Sequence, residues 1–159
     1  MALFEWKDSY SVGSIPIDNQ HKKLIGYINE FYNNLKFKSN DDLISALIKE
    51  MKEYTLFHFS YEESYLEKFG YKDLPEHKEE HKAFIEKVSD FENRFNSKKV
   101  ILSYEITKFL KDWLKHHILV EDMKYSHIFK NNNTKGLSKY DKRVKLASTI
   151  ESKFSYTAN

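Results

Sequence analysis

Four stretches of this chain place apolar residues at alternating spacings of three and four, and almost nothing in the sequence interrupts them. A side-chain stripe of that period forms only on a helix, so each stretch can bury its apolar residues together only by becoming helical. Four glycines and two prolines in 159 residues are too few for the many turns of an all-β fold. The expected architecture is all-α, an up-down-up-down four-helix bundle.

The first helix is predicted over roughly 19–37, with His21, Leu24, Ile25, Ile28, Tyr32 and Leu35 on one stripe. A second begins at a cap on Asn40 or Asp41 and runs to about Phe69, where Gly70 ends it; its stripe is Ile44, Leu47, Ile48, Met51, Thr55, His58, Glu62 and Leu66. Pro75 suits the first turn of a third helix, striped by His77, His81, Phe84, Val88, Phe91 and Phe95 and closed by the polar run from Asn96 to Lys99. The fourth, about 101–130, is apolar over a wider arc. Ile106, Phe109, Trp113, His117 and Val120 share one stripe, with Leu110, Leu114, Ile118, Asp122 and Tyr125 beside it.

Residues 1–18 read as an irregular arm that lays Phe4, Trp6 and Tyr10 on the core, with Gly13 and Pro16 preventing a helix and Asp18 serving as the first helix cap. After Asn131, Asn132, Asn133 and Gly136 a basic segment follows, which forms either a short fifth helix docked through Val144, Ile150 and Phe154 or a loosely held tail. The expected division is a bundle over 1–131 and a basic extension over 132–159.

Twenty-six Lys and Arg against twenty-four Asp and Glu, both signs interspersed, imply no nucleic-acid partner. No cysteine is present, which excludes disulfides, iron-sulfur clusters and thiolate zinc sites and suits a reducing compartment, the cytoplasm by default. The first ten residues, MALFEWKDSY, lack the apolar run of a signal peptide, and no stretch approaches transmembrane length, so no membrane partner is expected.

The histidines carry the functional information. Five of the seven, His21, His58, His77, His81 and His117, fall on inward stripes, together with the carboxylates Glu62 and Asp122. One histidine on an apolar face is an ordinary hydrogen-bonded core residue. Two carboxylates buried among five imidazoles are different, because an unpartnered buried carboxylate costs several kcal/mol and cations would neutralise both. His58 with Glu62, and His77 with His81, are i, i+4 pairs that project together from one helical face. Nitrogen and carboxylate ligands without sulfur fit iron, manganese or zinc, and seven are too many for one ion but right for two. Helix geometry leaves the last carboxylate open: Asp122 lies five residues after His117, roughly 140° around an ideal helix, while Glu121 at i+4 is better placed unless a π-type bulge intervenes.

The segments VGSIPIDNQHKKL at 12–24, HFSYEE at 58–63, HKEEHKAF at 77–84 and WLKHHILVED at 113–122 resemble the hemerythrins, in particular the single-domain bacterial kind, across about residues 4–130. The resemblance implies two non-haem irons bridged by an oxo or hydroxo oxygen. His77, His81 and His117 would hold one iron and His21 and His58 the other, with Glu62 and Asp122 bridging both, so that Asp122 is preferred to Glu121. It further implies reversible binding of molecular oxygen at the two-histidine iron, without enzymatic turnover, for carriage, storage or delivery; the alternative is an oxygen or iron sensor that passes its response to a partner. Phe84, Trp113, Ile118 and Leu66 are the expected pocket walls, Leu66 standing where the family commonly has methionine. Glu63 is expected at the rim, Trp113 and Tyr125 as core aromatics beside the pocket, and His116 and His127 away from the metal.

Two other chemistries fit less. HKEEH at 77–81 matches the zinc-protease pattern H-x-x-E-H but leaves His21, His58, His117 and both core carboxylates unexplained. A ferritin-like oxidase needs Glu-x-x-His on two helices, and no glutamate here lies three residues before a histidine.

Overall fold

The structure is a computed structural model that describes residues 2–37, 40–97 and 104–131. Among these residues four long helical rods form an up-down-up-down bundle: α1 (Ile15–Lys36), α2 (Asp41–Lys68), α3 (Leu74–Asn96), and a fourth rod made of α4 (Tyr104–His116), a π turn (His117–Glu121) and α5 (Asp122–Asn131). α2 packs against α1 and α3, and α1 against α4. The expected extension over 132–159, with its possible helix, lies outside the described residues.

Local chemistry sets the ends of the rods. Asn40 caps α2 by accepting the Asp42 N–H at 2.7 Å. At the other end Gly70 takes φ +65°, its N–H reaching the Glu67 carbonyl at 3.1 Å and the Tyr71 N–H the Leu66 carbonyl at 2.9 Å. This paired closure needs the left-handed conformation that glycine adopts without strain. Pro75 occupies the first turn of α3 as the sequence predicts.

The entry to α1 differs from the prediction. The helix starts at Ile15, before Pro16, because a proline in the first turn has no N–H to lose to the ladder. Asp18 is therefore inside α1 rather than its cap. Its carboxylate instead folds back over the arm, accepting the Val12 N–H at 2.9 Å and the Ser11 hydroxyl at 2.5 Å. A short 3-10 turn at Asp8–Tyr10 brings Tyr10 to the core beside Phe4, and Trp6 packs partly buried against them. Asn29 of α1 ties the arm down, accepting from the Leu3 and Phe4 N–H groups and donating to the Phe4 carbonyl.

Two apolar clusters fill the bundle. The larger holds Leu24, Ile28, Met51, Tyr54, Phe84, Leu110 and Leu114 among others; the smaller holds Val12, Ile17, Tyr61, Tyr65, Leu66, Leu74, Tyr125 and Phe129. Every rod crosses from one to the other, and at the crossing it carries buried polar residues: His21 between Ile17 and Leu24, His58 and Glu62 between Tyr54 and Leu66, His77 and His81 between Leu74 and Phe84, His117 and Asp122 between Leu114 and Tyr125. The polar layer thus lies across the bundle between two apolar plugs.

Candidate metal centre

All seven side chains singled out in the sequence meet in that layer, and none is more than 3% exposed. Glu62, His77, His81 and His117 offer ligand atoms within 4.8 Å of one another, and so do His21, His58 and Glu62, so that Glu62 belongs to both groups. Asp122 also spans them. Its Oδ2 lies 3.1 Å from His21 Nε2, while its Oδ1 lies 3.1 Å from His117 Nε2 and 3.7 Å from His77 Nε2. Glu62 Oε2 stands 3.2 Å from both His77 Nε2 and His81 Nε2.

The fourth rod explains how Asp122 arrives there. Its N–H bonds to the His117 carbonyl, five residues back, so the π turn absorbs one extra residue and brings i and i+5 to the same face. Glu121, the i+4 residue, is carried outward, where it meets Lys124 at 2.6 Å and His116 at 3.6 Å. The same shift corrects a second expectation. Val120, predicted on the inner stripe, is 43% exposed, because past His117 the stripe no longer follows the 3.6-residue period.

Several of these groups approach one another without satisfying one another. Both Asp122 oxygens, both His21 nitrogens, His58 Nε2 and His117 Nδ1 are buried with no hydrogen-bond partner, although His21 Nε2 and His117 Nε2 come within 3.1 Å of Asp122. Close, misaligned lone-pair atoms are costly in a dry interior and fit a cation placed among them.

The electrostatics agree. Burial pushes His21 down to about 4 and His117 to about 3, and His58 well below its ordinary value, which keeps these imidazoles in the neutral form that metals require. Burial alone would raise the Glu62 carboxyl, but hydrogen bonds with His117, His77 and His81 hold it well below the usual range. Burial and the Glu62 charge together push Asp122 well above it. Two carboxylates this close and this dry do not both ionise without added positive charge. The donor set, imidazole nitrogen and carboxylate oxygen without sulfur, fits iron, manganese or zinc.

A second layer of residues supports the first. His58 Nδ1 donates to the Gln20 amide oxygen at 2.9 Å, His81 Nδ1 to Glu63 Oε1 at 2.7 Å, and the Tyr125 hydroxyl to Glu62 Oε1. Phe59 stacks flat on His81 at 3.6 Å between ring centres and Trp113 on His117 at 4.6 Å. The sequence reading missed Gln20, although its position three after Ile17 and four before Leu24 marks an inward residue. Phe84 and Trp113 line a small cavity with Leu24, Ile28, Met51 and Thr55, of about 10 Å³; its one hydroxyl, on Thr55, is spent on the Met51 carbonyl at 2.7 Å. Ile118 packs in the same apolar cluster, and Leu66 lies in the opposite one with Tyr125. His116 and His127 are exposed and outside the layer.

Comparison with known proteins covers the bundle that carries this layer. Residues 16–128 match the hemerythrin HHE cation binding domain. A bacteriohemerythrin of Clostridium acetobutylicum is 43% identical over 129 residues, covering 77% of this chain and 98% of that protein. One from Pseudomonas aeruginosa is 35% identical over 125 residues, 79% of this chain and 80% of that protein. A solved wild-type hemerythrin superposes with a TM-score of 0.76 at 26% identity, over 80% of this chain and 98% of its own. On the extent of these matches, the chain belongs to the hemerythrin family.

Proposed function

We propose that this protein binds molecular oxygen reversibly at a pair of non-haem irons, for carriage, storage or delivery. The observation that supports the reading is the layer of seven buried histidine and carboxylate side chains, in which both Asp122 oxygens, both His21 nitrogens and His58 Nε2 converge without hydrogen-bond partners. His77, His81 and His117 would hold one ion and His21 and His58 the other, with Glu62 and Asp122 shared between them and an oxo or hydroxo oxygen completing the bridge. The pair of irons, when bound, supplies two electrons that oxygen can accept and return.

The chain's own residues determine whether that exchange is reversible. Apolar plugs on either side exclude water, and Phe84, Trp113 and Leu24 wall a small cavity with almost no polar surface. Few proton donors then reach the centre, which disfavours turnover and supports binding. Tyr125 holds one oxygen of Glu62, and Gln20 and Glu63 hold the outer nitrogens of His58 and His81, so the ligands are oriented before an ion arrives. Residues 1–131 would form this unit, with 132–159 an appended extension.

Anaerobic titration with ferrous iron, followed by repeated cycling between argon and air under absorption spectroscopy, tests the reading. Two irons per chain and an absorption band that returns over several cycles are expected. A reproducible stoichiometry of one, or rapid irreversible oxidation with stoichiometric peroxide, would replace it with another function. An oxygen sensor would share the spectrum and differ in acquiring an oxygen-dependent protein partner.

A further inference from the structure

The outer nitrogens of two histidines in the layer are held in different ways. His58 Nδ1 donates to the neutral amide of Gln20, which is itself completely buried. His81 Nδ1 donates to the carboxylate of Glu63, which is 25% exposed. Glu63 follows Glu62 by one residue and so points about 100° away around α2. It reaches α3 from outside the layer while Glu62 reaches the same imidazole from within, at 3.2 Å on Nε2. Phe59, one turn before Glu63 on α2, lies flat on the His81 ring. The face and the outer edge of His81 are thus both fixed by one helical turn of a neighbouring rod.

We propose that Glu63 is a positioning residue of the metal centre, whose carboxylate holds the His81 ring with Nδ1 protonated and Nε2 aimed into the cluster. A carboxylate only accepts, so the nitrogen facing Glu63 carries a hydrogen and keeps it, and Nε2, 3.2 Å from Glu62 Oε2, is the nitrogen left to give up its proton when a cation binds. A charged acceptor also makes the imidazole a stronger donor to a cation than a neutral amide does. The two ion positions are therefore unequal beyond their histidine counts: one has a histidine backed by charge, the other a histidine backed by an amide.

The charged support stands at the floor of an open groove between α2 and α3, about 410 Å³ in volume, lined by Leu56, Ser60, Lys78, Glu79, Lys82 and Glu86. Solvent therefore reaches the support of His81 without entering the layer, while Gln20 stays sealed. This inference rests on the cation-site reading of the layer and needs neither iron nor oxygen.

The test uses the full chain loaded with zinc(II), a diamagnetic probe that accepts the same donors. Zinc dissociation into excess chelator is timed, and the His81 Nδ1–H proton is followed by nuclear magnetic resonance. Glu63→Ala is expected to speed dissociation about 10–100-fold and to lose the protected Nδ1–H signal. Glu63→Gln, which keeps an acceptor without the charge, should restore the signal and recover only part of the rate. Glu79→Gln, a groove residue that does not touch His81, should match the wild type in both.

Unchanged dissociation in Glu63→Ala, or a Nδ1–H signal that survives it, overturns the proposal while leaving the cation site standing. Faster dissociation in Glu63→Gln equal to that in Glu63→Ala, with melting temperature lowered alike, also overturns it by reducing Glu63 to a structural contact. A wild-type chain that takes up no zinc overturns the cation-site reading and this inference with it.

Discussion

At the scale of single residues, adjacent pairs separate inward chemistry from outward. His117 is buried in the layer while His116 is exposed, and Asp122 faces His21, His77 and His117 while Glu121 pairs with Lys124 at the edge. His117→Ala and Asp122→Ala are therefore expected to lower metal retention sharply, and His116→Ala and Glu121→Ala to leave it within about twofold, because only the first pair directs lone pairs into the cluster. Metal content after exhaustive dialysis reads the difference, and equal losses within either pair would contradict the register of the fourth rod. Tyr125 adds a prediction of another kind. Its hydroxyl donates to the buried Glu62 carboxylate, and Tyr125→Phe keeps the ring packing while leaving that oxygen short of a donor. A loss of about 1.5–3 kcal/mol in unfolding free energy is expected for a hydrogen bond to a charged group. Urea titration of the metal-free chain measures it, and a change below about 0.5 kcal/mol would mean that Glu62 finds another donor.

At the scale of elements, the sequence showed most of what the rods do, because periodicity and breaker residues are local signals. Six of the seven inward polar residues could be read from their stripes, Asp122 only from the family resemblance, and Gly70 and Asn40 from their turn and cap chemistry. The register of the fourth rod beyond His117 could not, since a π turn leaves no mark in a 3.6-residue pattern and Val120, an apolar residue, filled the stripe that the turn then displaced outward. Gln20 escaped for the opposite reason: its spacing was inward, but a polar type is read as surface unless a partner is in view, and its partner His58 is 38 residues away. Glu63 was legible only as a rim residue, because its partner is on another helix. The π turn itself yields a test. Deleting Val120 removes the extra residue, puts Asp122 at i+4 from His117 in an ordinary α-helix and keeps the downstream face. That deletion should retain the metal. Deleting the exposed Lys115 instead turns everything beyond it by about 100° against Leu110 and Leu114 and should abolish binding. Equal loss from both deletions would show that the wide turn does more than restore the face of Asp122.

At the scale of the whole molecule, two apolar plugs enclose a layer that is poorly satisfied without cations, and the stability of the metal-free protein should reveal that strain through pH. In the folded chain burial holds His21 at about 4, His117 at about 3 and His58 well below its ordinary value, whereas unfolded histidines take up protons near 6.5. Between pH 6.5 and about 4 the unfolded state therefore binds protons at three histidines that the folded state refuses. Asp122 acts the other way, since burial and Glu62 keep its carboxyl protonated in the fold after the unfolded chain has released that proton. Three against one leaves the unfolded state with about two more protons, so stability falls as pH falls through this window. His81 does not offset the loss. Burial alone would lower it, but its bonds to Glu62 and Glu63 raise it to about 9, so its contribution is complete below 6.5 and is lost only as pH rises through 9. Bound cations occupy the imidazole lone pairs and compete with protons, which moves the acid transition of the loaded protein to lower pH. Thermal melts of metal-free and metal-loaded chains from pH 7 to 4 measure both effects. The metal-free melting temperature should decline steadily below pH 6.5 and the loaded one should hold until the metal is released. A metal-free chain as stable at pH 4.5 as at pH 7 would mean that the histidines are not held neutral in the fold, and the case for a preformed cation site would fail with them.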